Sequence, residues 1–129
     1  MPFVFIWGMP NTVKDEQLFE LREKIIIQLA NTMEVARSWV RVFFPNDRLD
    51  SYAPPDQTSK TIYITIETGM FYTKEENSEY PSSTTHVIAE TVWNMFDGQY
   101  EVECFIGNHN PKWVSLIHPK PDTEIKDKK

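Results

Sequence analysis

Residues 61–69 read TIYITIETG, and this stretch determines what kind of fold the chain can adopt. The isoleucines at positions 62, 64 and 66 alternate with aromatic or polar residues, which is the period-two pattern of a strand with one apolar face. Such a strand needs partner strands in a sheet and helices that cover its apolar face. The stretch therefore predicts a domain that combines a sheet with amphipathic helices.

Three other apolar stretches predict strands: PFVFIW at 2–7, SWVRVFFP at 38–45 and YEVECFIG at 100–107. WVSLI at 113–117 predicts a short fifth strand. Two stretches show helical spacing of apolar residues, at about 12–31 and 84–96. Thr12 with Asp15 predicts a capping box for the first helix, and Ser82 or Ser83 predicts a cap for the second. A polar connection, 46–60, is long for so small a domain.

The predicted element order is β-α-β-β-α-β, two βαβ units in succession, which suggests an internal pseudo-repeat. Because parallel crossovers are right-handed, both helices are expected on one face of a four-stranded sheet. The fold class is therefore α+β. The opposite face would carry an aromatic and polar mixture that includes Trp39, Arg41 and Phe43. So large an aromatic surface predicts self-association.

The length of 129 residues predicts a single domain, here assigned to residues 1–118, followed by a charged and flexible tail at 119–129. The net charge of −6 argues against nucleic acid or an anionic membrane as the main partner. The one cysteine, Cys104, lies in an apolar run and indicates a reducing compartment. With no signal sequence and no apolar run of about 20 residues, we expect a cytoplasmic protein.

Three segments resemble the tautomerase superfamily: MPFVFIWG at 1–8, KDEQLFELREKIIIQL at 14–29 and SWVRVFFPNDRL at 38–49. That superfamily includes 4-oxalocrotonate tautomerase, 5-carboxymethyl-2-hydroxymuconate isomerase and macrophage migration inhibitory factor. The resemblance implies a β-α-β-β-α-β domain, a homotrimer whose sheets form an inner barrel, and no cofactor. It also implies a tautomerase or isomerase of a small keto or enol acid, with a small-molecule carboxylate as substrate.

The resemblance assigns roles to three residues. Pro2, exposed as an N-terminal amine after removal of Met1, matches the general base, and burial would lower the pKa of such an amine. Arg41 matches the strand arginine that holds a substrate carboxylate. At the arginine that precedes the first helix, the chain offers Val13 or Lys14, so Lys14 is the candidate there. Glu34 falls where the cytokine-like members have a lysine.

Each assignment has an alternative. Pro2 suits the start of a strand without any chemistry, and Arg41 would also be explained by an ion pair with Glu67 or Glu103. A non-catalytic member of the same fold, binding a ligand or a protein, is the alternative function. A βαββαβ nucleic-acid module would need a K/R-G-F/Y pattern and a basic surface, and the sequence has neither.

No metal site is predicted, because His86, His109 and His118 lack the spacing of metal ligands.

Overall fold

A computed structural model describes residues 2–10, 12–46, 61–69 and 80–108, together with residues 112, 115, 117 and 120. The connection at 47–60, the predicted strand at 113–117 except for residues 115 and 117, and the tail except for residue 120 lie outside the described residues. The elements, in chain order, are β1 (Phe3–Trp7), α1 (Asp15–Met33), a 3₁₀ turn (Arg37–Trp39), β2 (Arg41–Phe43), β3 (Thr61–Thr68), α2 (Tyr80–Met95) and β4 (Glu101–Asn108).

The four strands form one mixed sheet with the order β2-β1-β3-β4. β1 pairs in parallel with β2, and β3 pairs in parallel with β4, so each helix connects two parallel neighbours. The two βαβ units are joined by the antiparallel pairing of β1 with β3. The predicted β-α-β-β-α-β order and the α+β class are confirmed.

Both helices pack on the same face of the sheet, where they contact each other and bury its apolar residues. The isoleucines at 62, 64 and 66 are fully buried, as their alternation predicts. Their partners in the core come from β1 and from both helices: Val4, Ile6, Leu21, Ile25, Leu29, Ile88, Val92 and Phe96. Phe19, although apolar, lies on the exposed side of α1 and is not part of its buried stripe.

The start of α1 differs from the predicted capping box at Thr12. Lys14 is still extended, with a ψ of 155°, so the helix begins at Asp15. The backbone N–H of Lys14 donates a hydrogen bond to the side-chain oxygen of Gln17, three residues later, at 3.0 Å. The cap therefore lies two residues further along the chain than the sequence pattern indicates.

Two other boundaries differ from the sequence expectation. The second strand is only three residues long, because the chain before it turns in a 3₁₀ helix that contains Trp39. The second helix begins at Tyr80, ahead of the predicted caps at Ser82 and Ser83. Its end is as predicted, since Asp97 and Gly98 both adopt positive φ values, of 54° and 70°, which terminate a helix.

The second face of the sheet is open to solvent in the single chain. Its exposed aromatic residues are Phe3, Trp7, Phe43, Tyr63 and Phe105, and Trp39 in the 3₁₀ turn is also half exposed. Phe5 and Phe43 stack with ring centroids 5.2 Å apart, so part of this surface is already organised. The aromatic second face that the sequence predicts is present.

Candidate active site

Pro2 lies immediately before β1, and its side chain is less than 2% exposed. Its carbonyl oxygen accepts a hydrogen bond from the backbone N–H of Arg41, with an N–O distance of 3.1 Å. This bond continues the parallel ladder of β1 and β2 by one step beyond the Phe3–Arg41 pair. The sheet thus holds a buried Pro2 directly beside the strand that carries Arg41.

Arg41 is exposed on the open face of the sheet, at the edge strand β2. In the described part of the chain, no ion pair joins it to Glu67 or to Glu103. A guanidinium group presents five N–H donors in a planar fork that matches a carboxylate. In the described part of the chain, Arg41 is therefore not engaged by either of these two carboxylates.

Glu103 cannot reach Arg41 within the same chain. It lies on β4, the opposite edge of the sheet, three strand spacings or roughly 14 Å away from β2. Glu67 is closer, because it pairs with Phe3, and Phe3 pairs in turn with Arg41 on the other side. Of the two carboxylates considered from the sequence, only Glu67 belongs to the same end of the open face as Pro2.

The Glu67 side chain extends over β4, where Gly107 is its partner in the register. A methyl group at Gly107 would overlap the Glu67 carboxylate, so the glycine leaves the space that this side chain occupies. Glycine within a strand often marks such a close approach, and this is the sequence signal that was available for the contact. The result is a half-buried carboxylate in the same cross-strand row as Arg41.

Lys14 does not join Pro2 and Arg41 in the single chain. It precedes α1, which begins after the carboxyl end of β1, whereas Pro2 precedes the amino end of that strand. The five residue steps from Pro2 to Trp7 span roughly 17 Å at about 3.3 Å each. Glu34, by contrast, ends α1 in the left-handed conformation, with a φ of 57°, and its backbone N–H donates to the carbonyl of Ala30.

Cys104 points toward the helices between Val102 and Ile106, all three of them partly buried. Burial raises the pKa of its thiol from 9.0 to about 12, because the thiolate would lose its hydration. A neutral, shielded thiol is a poor nucleophile. Cys104 therefore packs against the core and is only partly buried.

The described residues contain no group of three or more histidine, cysteine or acidic side chains that could hold a metal ion. His86 lies on the exposed side of α2, 3.2 Å from the Glu90 carboxylate one turn later. None of the helices in the described part of the chain is both long and apolar enough to cross a lipid bilayer.

Several solved structures are similar to this chain in fold. A wild-type fused 4-OT, solved as an asymmetric trimer, superposes with a TM-score of 0.69 at 8% sequence identity, covering 88% of this chain and 91% of its own. A member of the cis-3-chloroacrylic acid dehalogenase family gives a TM-score of 0.68 at 9% identity, covering 96% of this chain and 88% of its own. A macrophage migration inhibitory factor-like protein from Entamoeba histolytica gives 0.65 at 9% identity, covering 91% and 96%.

No family model matches the sequence, and no curated protein is similar to it in sequence. The similarity to these proteins is in three-dimensional structure. At such low sequence identities it establishes a common fold and nothing more. The chain has the fold of the tautomerase superfamily, with two βαβ units in one chain, as the sequence resemblance implies.

Proposed function

We propose that this protein is a cofactor-free tautomerase or isomerase of a small keto or enol acid. Pro2 acts as the general base after removal of Met1, and Arg41 binds the substrate carboxylate. One observation carries the proposal: a fully buried proline lies next to an exposed arginine that, in the described residues, is not paired with Glu67 or Glu103.

The proton transfer follows from the chemistry of an amine in an apolar environment. Burial disfavours the charged form of an amine, so we expect the pKa of the Pro2 amine to lie below its ordinary range. The neutral amine takes a proton from the carbon next to the substrate carbonyl, and the electron pair moves to oxygen to give an enolate. The protonated Pro2 amine then gives this proton to the oxygen, which yields the enol and restores the neutral amine, and the reverse sequence converts an enol to a ketone.

Arg41 serves this reaction in two ways. A bidentate contact to the substrate carboxylate fixes the carbon acid relative to the Pro2 nitrogen. Its positive charge also stabilises the negative charge that develops on the enolate. Lysine is a poorer substitute, because an ammonium group lacks the planar fork.

Self-association of the chain as a homotrimer is part of the proposal. The open aromatic face is too apolar to stay hydrated, and a homotrimer in which this face lines the centre would cover it. Lys14 is about the length of β1 from Pro2 within one chain, so it takes part only if a neighbouring subunit supplies it. Light scattering should then give three times the mass of the chain, and a stable monomer at micromolar concentration would contradict this arrangement.

The function is tested first by the intact mass of the purified protein, which should correspond to loss of Met1. The processed protein should tautomerise phenylpyruvate, with a rate that rises with pH as the Pro2 amine loses its proton. A variant that retains Met1, or protein with a chemically blocked amine, should fold normally and be inactive. Processed protein with an ordinary amine pKa and no turnover of any keto acid in a panel would refute the proposal.

The second candidate is a non-catalytic member of the fold that binds a ligand or a protein. Two observations favour it: the chain has no arginine just before α1, where the resemblance implies one, and Lys14 lies far from Pro2 in the single chain. The Pro2 titration separates the two candidates, since an inert proline has no reason to depart from the ordinary α-amino range.

A further inference from the structure

The described residues that line one surface cavity do not include Pro2 or Arg41. This cavity, of about 150 Å³, opens between the first half of α1 and the segment that follows β2. The described residues that line it are Asp15, Leu18, Phe19, Arg22 and Phe44, and most of its wall is apolar. A cavity of this size with apolar walls can accommodate one benzene ring.

Arg22 supplies the one cationic group among these residues. Its guanidinium carbon lies 5.0 Å from the centroid of the Phe19 ring, one turn earlier on the same helix. A guanidinium group has five N–H donors, and a contact with a ring face does not use them all. In the described residues no ion pair involves Arg22. Its remaining N–H groups can therefore bind a carboxylate at the mouth of this apolar cavity.

We propose that this cavity binds a small acid that combines one carboxylate with an apolar body of about the size of one ring. The ring lies against Leu18, Phe19 and Phe44, and the carboxylate pairs with Arg22. This site is separate from the proposed Pro2 site and does not depend on it. The contact with Arg22 also explains why the large Phe19 ring lies on the solvent-exposed side of the helix, because the ring positions the cation.

Asp15 limits the chemistry of the ligand. It lies in the first turn of α1, where the helix dipole favours a negative charge. A ligand with a second carboxylate would place that group near Asp15 and be repelled. The cavity is therefore selective for monocarboxylates over dicarboxylates of the same skeleton, and neutralising Asp15 should reduce this selectivity.

The test is calorimetric titration of the full chain with 3-phenylpropionate, with 3-phenylpropanamide as the uncharged ligand and phenylsuccinate as the dicarboxylate. We expect the monocarboxylate to bind best.

Arg22→Ala should weaken its binding at least about tenfold, since a charge-assisted bidentate pair is lost. Lys24→Ala is the matched control, because it removes a positive charge two residues away, outside the cavity, and should leave binding unchanged. Asp15→Asn should improve phenylsuccinate selectively.

Arg41→Ala distinguishes this site from the proposed Pro2 site. Binding of 3-phenylpropionate that persists in Arg41→Ala and disappears in Arg22→Ala supports the cavity, whether or not Pro2 is catalytic. Binding that depends on Arg41 and not on Arg22 would overturn the proposal, as would equal affinity for the acid and the amide. A ¹H–¹⁵N correlation spectrum of each variant establishes that it is folded.

Discussion

The two faces of the sheet are made by the same strands and have opposite environments. On β3, Ile64 is fully buried beneath the helices, while its neighbour Tyr63 is 41% exposed on the open face. The helix-covered face is mostly aliphatic, and the open face mixes aromatic rings with Arg41 and acidic residues. The helices of the same chain therefore cover one face, and the other face stays exposed in the single chain.

We expect this difference to separate substitutions that change stability from substitutions that change function. The aliphatic face has the close packing that stabilises a small domain on its own. The open face carries exposed charges and aromatic rings. Arg41 and Glu67 lie on it, at the end where Pro2 precedes β1. Substitutions on the first face should act on folding, and those on the second should act on assembly or on ligand binding.

The largest expected effect compares adjacent residues on the two faces. Ile64→Ala should lower the free energy of unfolding by about 2–5 kcal/mol, because it leaves a cavity in the core. Tyr63→Ala should cost less than about 1 kcal/mol at low protein concentration, since its side chain is already half hydrated. Urea denaturation at two protein concentrations checks this. A loss for Tyr63→Ala that grows with concentration would identify the open face as an interface.

The reactivity of the Cys104 thiol measures how well water is excluded from the helix-covered face at the edge strand β4. Because the pKa of its thiol is raised to about 12, the thiol stays protonated at pH 8, and we expect iodoacetamide to modify it far more slowly in the folded protein than in urea. The sign of the linkage follows: the unfolded chain ionises first, so the thiol's contribution to stability is complete below pH 9 and is lost between pH 9 and 12. Rapid modification of the native protein would show that this edge opens.

Arg41 tests whether the charge on the open face has a structural or a binding role. If it binds substrate, Arg41→Ala should change the free energy of unfolding by less than about 0.5 kcal/mol and lower kcat/KM sharply. Arg41→Lys should recover only part of that loss. If the residue instead forms a buried ion pair with another subunit, its removal should cost about 3–5 kcal/mol and dissociate the oligomer. Loss of folding with no separable kinetic defect would exclude the binding role.

The smallest effect is expected for the C-terminal segment. Truncation after His118 removes the charged residues 119–129, and the melting temperature should stay within about 2 °C, because a charged, proline-containing sequence offers little apolar surface for packing. A larger decrease in a differential scanning calorimetry experiment would mean that this segment packs on the domain.

Local sequence patterns predicted most of the fold. The alternation in β3 and the apolar stripes of the helices are local signals, and they identify which residues are buried from spacing alone. The boundaries were less predictable. Thr12 and Ser82 are ordinary capping residues, but the helices begin at Asp15 and Tyr80 instead. A cap is worth only about 1 kcal/mol, so another local contact, such as the hydrogen bond from Lys14 to Gln17, is enough to move a boundary by one or two residues.

The sequence by itself determined the element order, the aliphatic face and the aromatic face, because residue spacing along a helix or strand sets the direction in which each side chain points. Only the tertiary structure decided which residues meet. The strand order places Arg41 beside Pro2, puts Glu103 on the opposite edge and separates Lys14 from both. Strand pairing brings together residues that are distant in sequence, and no local pattern records which strands become neighbours.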